Sequence, residues 1–393
     1  MKRDSVLTIT SLSNEMKLLV ALLAADNEGE GAAADEALYR DIEWSQFLAL
    51  VRHHRVFPQL YVTLKRVPKA PIPPYVMQVL KRDYRQNTIR MLHLAGEMET
   101  IGHLLASNGI RALFLKGPSL AHQLYGDISL RTSGDIDLLI PLRDLDAADR
   151  LLQENGYEKE ESVEALLGDW KWRRHHVNYA HPEKKTKVEV HWRLHPGPAK
   201  SPSFDELWER KAACKITNVA LFQLGNDDLL LYLATHGARH GWSRLRWLAD
   251  VDRLLKQTIA WGPLLRRARR NWQEQLLGQA LLLATELLNT KVDERTSDLL
   301  RSNRAKRIAQ GAMFYLERTV NLHSTPIEEE VASYHQRYLF ALMGSRQKVL
   351  FVLSFLHPYS SDAQLLPLPK PLHFLYYPLR PVLWAWRRTK KTA

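Results

Sequence analysis

Cysteine is almost missing from this chain of 393 residues; Cys214 stands alone. A single thiol excludes an internal disulfide and any Cys-rich zinc site, and it suits a reducing compartment, so the expected location is the cytoplasm. Long apolar runs are missing too. The nearest, VLFVLSFL from Val349, stops at His357 and Pro358, short of the roughly 18–20 residues that span a bilayer. Near the start, the apolar stretch Leu18 to Ala25 is cut off from the basic N-terminus by a polar segment that includes Glu15, which reads as a helix and not as a signal peptide. Acid is scarce at the other end. Between Val331 and Ala393 nine lysines and arginines accompany one acid, Asp362, so this segment supplies +8 of the net +12. Internal repeats and low-complexity tracts are also lacking.

What is present is a globular composition, 45% hydrophobic and 25% charged, enough for a sizeable core divided into two or three units. Residues 1–108 read as helical: WSQFLALVRHHRVFPQLYVTLKR from Trp44, a Pro-rich break VPKAPIPPY at 67–75, then an amphipathic stretch to Leu105. Residues 109–204 change period. IRALFLKG reads as a short strand ending at Gly117, SLAHQLYGD as a helix, DIDLLI as a strand, and DLDAADRLLQENGY as a helix closed by Asn155 and Gly156. A charged stretch of mobile character follows, then TKVEVHWRLH, an alternating strand from Thr186. Residues 205–393 read as helical again. They include NDDLLLYLATHGARHGWSRLRWLADVDRLL, with Asn226 and Asp227 as expected caps, and end in the basic, aromatic tail.

The stretch RTSGDIDLLI, from Arg131, sets two aspartates two positions apart in an apolar run. On a strand, Asp135 and Asp137 share a face, with Ile136 and Leu138 on the other. Like charges held close need a cation between them or a proton on one, and oxygen ligands suit Mg²⁺ or Mn²⁺. In KVEVHW, from Lys187, Glu189 shares a face with Lys187 and His191, so a second strand offers a third carboxylate. Taken singly, each acid has a plainer use: a turn and cap pair for the aspartates, and an edge charge for Glu189.

The ordered set FLKGPSL (Phe114–Leu120), LYGD (Leu124–Asp127), RTSGDIDLL (Arg131–Leu139) and VEVHW (Val188–Trp192) resembles the nucleotidyltransferase fold superfamily. It is most similar to a largely uncharacterised bacterial branch with an LKG…LY…R…DIDLLV pattern. The core likeness covers residues 109–195, and HGARHGWSRLRWLADVDRLL extends it to about Leu255. The resemblance implies a small mixed sheet with flanking helices, an α/β core between N-terminal and C-terminal helical regions. It also implies transfer of a nucleoside monophosphate from an NTP to an acceptor hydroxyl or, less often, an amine. Asp135, Asp137 and Glu189 would then hold the metals, and Gly117 with Ser119 would let backbone approach the phosphates. The turn runs Gly117, Pro118, Ser119, which displaces the small hydroxyl by one position from the superfamily pattern. Lys116 and Arg131 are nearby cations able to meet phosphate charge.

Other readings compete. A module that keeps the fold but not the catalysis is the second functional class. The acceptor is open between a small molecule, a peptide, RNA or an anionic polymer. His191 is expected to pack beside Trp192 or to contact substrate. His236 and His240 have a zinc-like i,i+4 spacing, but no HExxH glutamate and no evident third ligand. Asp250 either pairs with Arg246 or faces the cleft. The tail suits RNA or an anionic membrane surface, or simply buries Tyr376, Tyr377 and Trp384 and leaves its cations in water.

Overall fold

The computed structural model describes residues 7–9, 11–28, 35–66, 70–160, 174–322 and 326–391. Four helices come first: α1 (Asn14–Glu28), α2 (Trp44–His53), α3 (Phe57–Arg66) and α4 (Pro74–Ser107). The apolar stretch near the N-terminus is α1, and Met16, Leu18, Leu19 and Leu22 are buried in a helical core. Glu43 caps α2 by accepting from the backbone N–H groups of Ser45 and Gln46, and Pro74 opens α4, where a missing N–H costs nothing. At 34 residues, α4 is about 51 Å long. Its start, Val76 and Leu80, lies in the helical core, whereas Met91, Leu94, Met98, Ile101 and Leu105 lie in a second core under the sheet.

The middle of the chain supplies β1 (Leu113–Phe114), α5 (Pro118–Tyr125), β2 (Ile136–Leu139), α6 (Leu145–Glu154), β3 (Glu158–Lys159), β4 (His176–His181) and β5 (Thr186–His191). After these come α7 (Phe204–Glu209), β6 (Ala212–Cys214) and β7 (Leu221–Gln223). The seven strands form one mixed sheet in the order β3-β4-β5-β2-β1-β7-β6. The β2/β5 and β1/β7 pairs are parallel and the others antiparallel. Alternation sorts the faces. Ile136, Leu138, Val177, Tyr179, Val188 and Val190 bury against Met91 to Leu105 of α4 and against Leu145, Ala148 and Leu152 of α6. The polar residues of the same strands are left on the opposite face.

The α/β core between helical regions is as expected, but its limits are not. β6 and β7 lie beyond residue 204, in sequence read as helical; at three residues each they are too short to show a period. The charged stretch before Thr186 contains β4, whose buried Val177 and Tyr179 alternate with His176 and Asn178. Residues 161–173 of that stretch lie outside the described residues.

Ten helices complete the described chain: α8 (Asn226–Arg239), α9 (Leu245–Leu255), α10 (Trp261–Arg270), α11 (Glu274–Leu288), α12 (Ser297–Arg301), α13 (Asn303–Glu317), α14 (Glu329–Leu342), α15 (Ser345–Ser354), α16 (Ser360–Leu365) and α17 (Tyr376–Lys391). The break between α8 and α9 comes from Gly241 and Trp242, both left-handed at φ 62° and 54°. Trp242 folds back onto Gly237, where any Cβ would overlap its ring. No described helix is long and apolar enough to cross a membrane.

The C-terminal segment is organised by its one acid. Asp362 is fully buried, 2.8 Å from Arg380 Nη1 and 2.9 Å from Arg387 Nη2. Tyr376 is buried as expected and donates its hydroxyl to the Leu366 carbonyl at 2.8 Å, but Tyr377 and Trp384 are exposed. Removing one member of a buried ion pair costs about 3–5 kcal/mol. Asp362→Ala is therefore expected to loosen residues 345–391 and to raise trypsin cleavage at Arg346 and Lys348 about tenfold or more, while the rest of the chain stays resistant. Equal cleavage of variant and wild type would show that Asp362 does not hold this segment.

Candidate active site on the polar face of the sheet

The parallel register of β2 and β5 sets Asp137 opposite Glu189 and Leu139 opposite His191. The antiparallel register of β5 and β4 sets His176 opposite His191 and Asn178 opposite Glu189. Asp137 is 0% exposed. Its charge is met by Lys116, whose Nζ lies 2.8 Å from Oδ1. Lys116 follows β1, and the Leu115 N–H fixes that segment by donating to the Asp137 carbonyl at 2.9 Å. His191 Nε2 lies 3.3 Å from both Asp137 Oδ1 and Glu189 Oε2.

Burial and charge oppose each other throughout this cluster. At Lys116 burial disfavours the ammonium, but Asp137, with Asp135 and Glu189 behind it, outweighs burial and holds the pKa above the ordinary lysine value. At Glu189 burial pushes the pKa up, while the His191 hydrogen bond and the Lys116 charge prevail and bring it to about 2. At His191 burial favours the neutral ring, and contact with Asp137 and Glu189 raises its pKa despite that.

The turn before α5 brings backbone against this cluster. Gly117 has φ 81° and ψ −147°, a conformation open essentially to glycine, and a Cβ there would sit 3.3 Å from the Asp135 carbonyl oxygen. No side chain caps α5, and Pro118 occupies its first turn, so the amides that follow have no partner within the helix. Ser119 is buried and turns its hydroxyl back to the Lys116 carbonyl, 3.2 Å away.

Two of the expected residues occupy other positions than the sequence suggested. β2 begins at Ile136, so Asp135 precedes the strand; it is half-buried and its Oδ1 accepts from Ser133 Oγ at 3.3 Å. Arg131 is buried, not turned toward an open phosphate site. Its Nε donates to both Asp250 oxygens at 3.0 and 3.1 Å, its Nη2 to Oδ2 at 3.0 Å, and its Nη1 to the Thr132 carbonyl at 3.3 Å. That clamp ties the approach to β2 to helix α9. It also settles the partner of Asp250, because Arg246 donates instead to the Thr132 carbonyl at 2.6 Å and hydroxyl at 2.9 Å.

Asp137, Glu189 and His191 each offer a ligand atom, and these atoms lie within 4.8 Å of one another. Asp137 Oδ2 is buried without a hydrogen-bond donor, which is what a cation ligand leaves when no cation is present. The two carboxylates suit Mg²⁺ or Mn²⁺, whereas the imidazole nitrogen suits a Zn²⁺-class ion. His191 meets the carboxylates rather than only packing beside Trp192, and the Glu-x-His spacing on one strand face is the sequence signal for that place. His236 and His240 form no metal site with a third ligand among the described residues. Their rings lie 4.6 Å apart and pack with Trp247.

The profile of a family described as "Uncharacterised nucleotidyltransferase" matches residues 40–289, which include the sheet, the glycine turn, the carboxylates and the Arg131–Asp250 clamp. The chain belongs to this nucleotidyltransferase family. Among solved structures, an antigenic nucleotidyltransferase-like protein from Paracoccidioides brasiliensis aligns over 51% of this chain and 94% of its own at 16% identity, with a TM-score of 0.34. No curated protein matches the chain. Asp250→Ala is expected to cost about 3–5 kcal/mol in denaturant unfolding, because it leaves a buried guanidinium unpaired. The double variant Arg131→Met with Asp250→Leu should recover much of that loss. A double variant no more stable than Asp250→Ala would show that the pair does not act as a unit.

Proposed function

We propose that the protein transfers a nucleoside monophosphate from an NTP to an acceptor hydroxyl or amine in a reaction that needs Mg²⁺ or Mn²⁺. The single observation that carries this reading is the β2/β5 register, which faces buried Asp137 with Glu189 beside a glycine turn and an uncapped helix start. The acceptor oxygen or nitrogen bonds to the α-phosphorus, the bond to the bridging oxygen breaks, pyrophosphate leaves with that electron pair, and the acceptor proton passes to solvent. Asp137 and Glu189, with Asp135 at the start of the strand, would hold the dication. When bound, it neutralises phosphate charge and acidifies the acceptor hydroxyl.

The chain's own groups do the rest. Glu189, held at about 2, is a ligand and orienting group, too weak a base to keep a proton. The free amides after Gly117 suit phosphate oxygens, and Lys116 supplies fixed positive charge beside them. A cavity of about 430 Å³ lined by Arg55, Arg90, Ser133 and Gly134, and by Arg52 paired with Asp83 at 2.6 Å, adjoins Asp135 and suits an anionic part of a substrate. A non-catalytic module is the second reading, favoured by one observation: Lys116 already sits on Asp137 where such a module would use an ammonium in place of a metal.

Asp135→Asn with Asp137→Asn is expected to weaken Mg²⁺-dependent NTP binding and transfer by about 10²-fold or more. Glu189→Gln, at a less buried position, should lose transfer while staying folded by circular dichroism. Incubating the protein with each labelled NTP and a cell extract identifies the base and the acceptor fraction. NTP binding indifferent to metal in the wild type would leave the module as the answer.

We further infer that residues 345–391 meet an anionic membrane surface. Eight cations against one acid supply the charge, and Val349, Val352, Leu353, Leu356, Val382 and Trp386 are exposed, Val352 by 55%. Aliphatic side chains bring nothing to RNA phosphate recognition but do insert at a lipid headgroup boundary. Val349→Glu with Val352→Glu is expected to weaken cosedimentation with phosphatidylcholine vesicles containing phosphatidylglycerol about tenfold, in a salt-sensitive way, and to leave NTP binding unchanged. Binding to tRNA but not to these vesicles would make nucleic acid the partner instead.

A further inference from the structure

Beside the carboxylates stands a second donor cluster built only of imidazoles. His175, His176 and His191 each offer a ring nitrogen, and these nitrogens lie within 4.8 Å of one another. His175 Nε2 and His176 Nδ1 are 3.2 Å apart. The ring centroids of His176 and His191 are separated by 4.9 Å, and those of His175 and His191 by 5.4 Å. The strands enforce this. The β4/β5 register sets His176 opposite His191, and the Trp192 N–H donates to the His175 carbonyl at 3.0 Å, which holds the residue before β4 against the end of β5.

We propose that His175, His176 and His191 form a site for a borderline transition-metal dication of the Zn²⁺ class, distinct in chemistry from the oxygen-ligated position at Asp137 and Glu189. Imidazole nitrogens prefer Zn²⁺, Co²⁺ or Ni²⁺ to Mg²⁺. A Zn–N distance of about 2.0–2.1 Å places two tetrahedral ligands about 3.3 Å apart, close to the spacing of the His175 and His176 nitrogens. His191 has its Nε2 near the two carboxylates, while its Nδ1 is buried with no hydrogen-bond partner. Asp137 and Glu189 supply the negative charge that a dication needs nearby. The inference does not depend on nucleotidyl transfer, because it turns on His175 and His176, which the transfer reading leaves without a task; His191 stands between the two donor sets.

The test uses the full chain, stripped of metal with a chelator and titrated with Co²⁺. The site predicts visible d–d absorption saturating at one equivalent and abolished by Zn²⁺. His175→Gln with His176→Gln should weaken Co²⁺ binding at least tenfold while leaving Mg²⁺-dependent NTP binding within twofold of wild type. Should that variant lose its circular dichroism signature, His175→Asn alone and X-ray absorption of the Zn²⁺-loaded wild type decide, with two or three imidazole ligands expected. No Co²⁺ band in the wild type, a histidine variant that binds as the wild type does, or a zinc spectrum without imidazole would each overturn the proposal. The three rings would then be only a hydrogen-bonded stack. Loss of NTP binding in the carboxylate variants with Co²⁺ binding intact, or the reverse, separates the two sites.

Discussion

A carboxylate with no exposure to water, Asp137, sets the terms for everything around it. Burying such a charge unpaired would cost several kcal/mol, and the surroundings are arranged against that cost. Lys116 reaches it from the end of β1, His191 approaches from β5, and Glu189 stands beside it across a parallel register. Each of these residues has its own position fixed by backbone pairing. Gly117 follows from the same requirement: the chain after Lys116 must turn within van der Waals distance of the Asp135 carbonyl, and only a residue without Cβ does so at φ 81°. The site is less a pocket lined with suitable residues than a charge balance built into a sheet.

The second buried pair works at the level of architecture. Arg131 and Asp250 join the loop that enters β2 to α9, more than a hundred residues later in the chain, with Tyr125 of α5 donating to the same carboxylate at 3.1 Å. Three elements that carry or flank the site thus meet on one aspartate. The geometry of the carboxylates therefore depends on the C-terminal helical region, although none of them belongs to it. The tail stands apart from this arrangement. It lies beyond the residues the family shares and is held together by its own buried acid.

What was legible in the sequence followed period and spacing. DIDLLI and VEVHW announced strands because apolar and polar residues alternate in them, and Gly117 announced a turn because it interrupts a strand before a helix. The helical regions declared themselves through Trp44 to Arg66 and the stretch to Leu105. β4 escaped because histidines at 175, 176 and 181 mask the alternation of Val177 and Tyr179, and β6 and β7 are too short to have a period. Arg131 looked like a phosphate ligand because proximity in sequence to the aspartates says nothing of direction. Its partner, Asp250, is far away in the chain, and no local pattern reveals such a pairing. The cluster of His175, His176 and His191 is equally invisible until strands are placed side by side.

Helix α4 has a consequence of its own. It begins in the helical core, at Val76 and Leu80, and ends under the sheet, at Ile101 and Leu105, without a proline inside its run. Two hydrophobic cores that share one unbroken helix are coupled through it, since a sharp kink in the shared helix would break its ladder of hydrogen bonds. The body is thus a single lever arm in mechanical terms. Loops and side chains at the rim of the site are then the parts that, at least mechanical cost, admit and release whatever it takes.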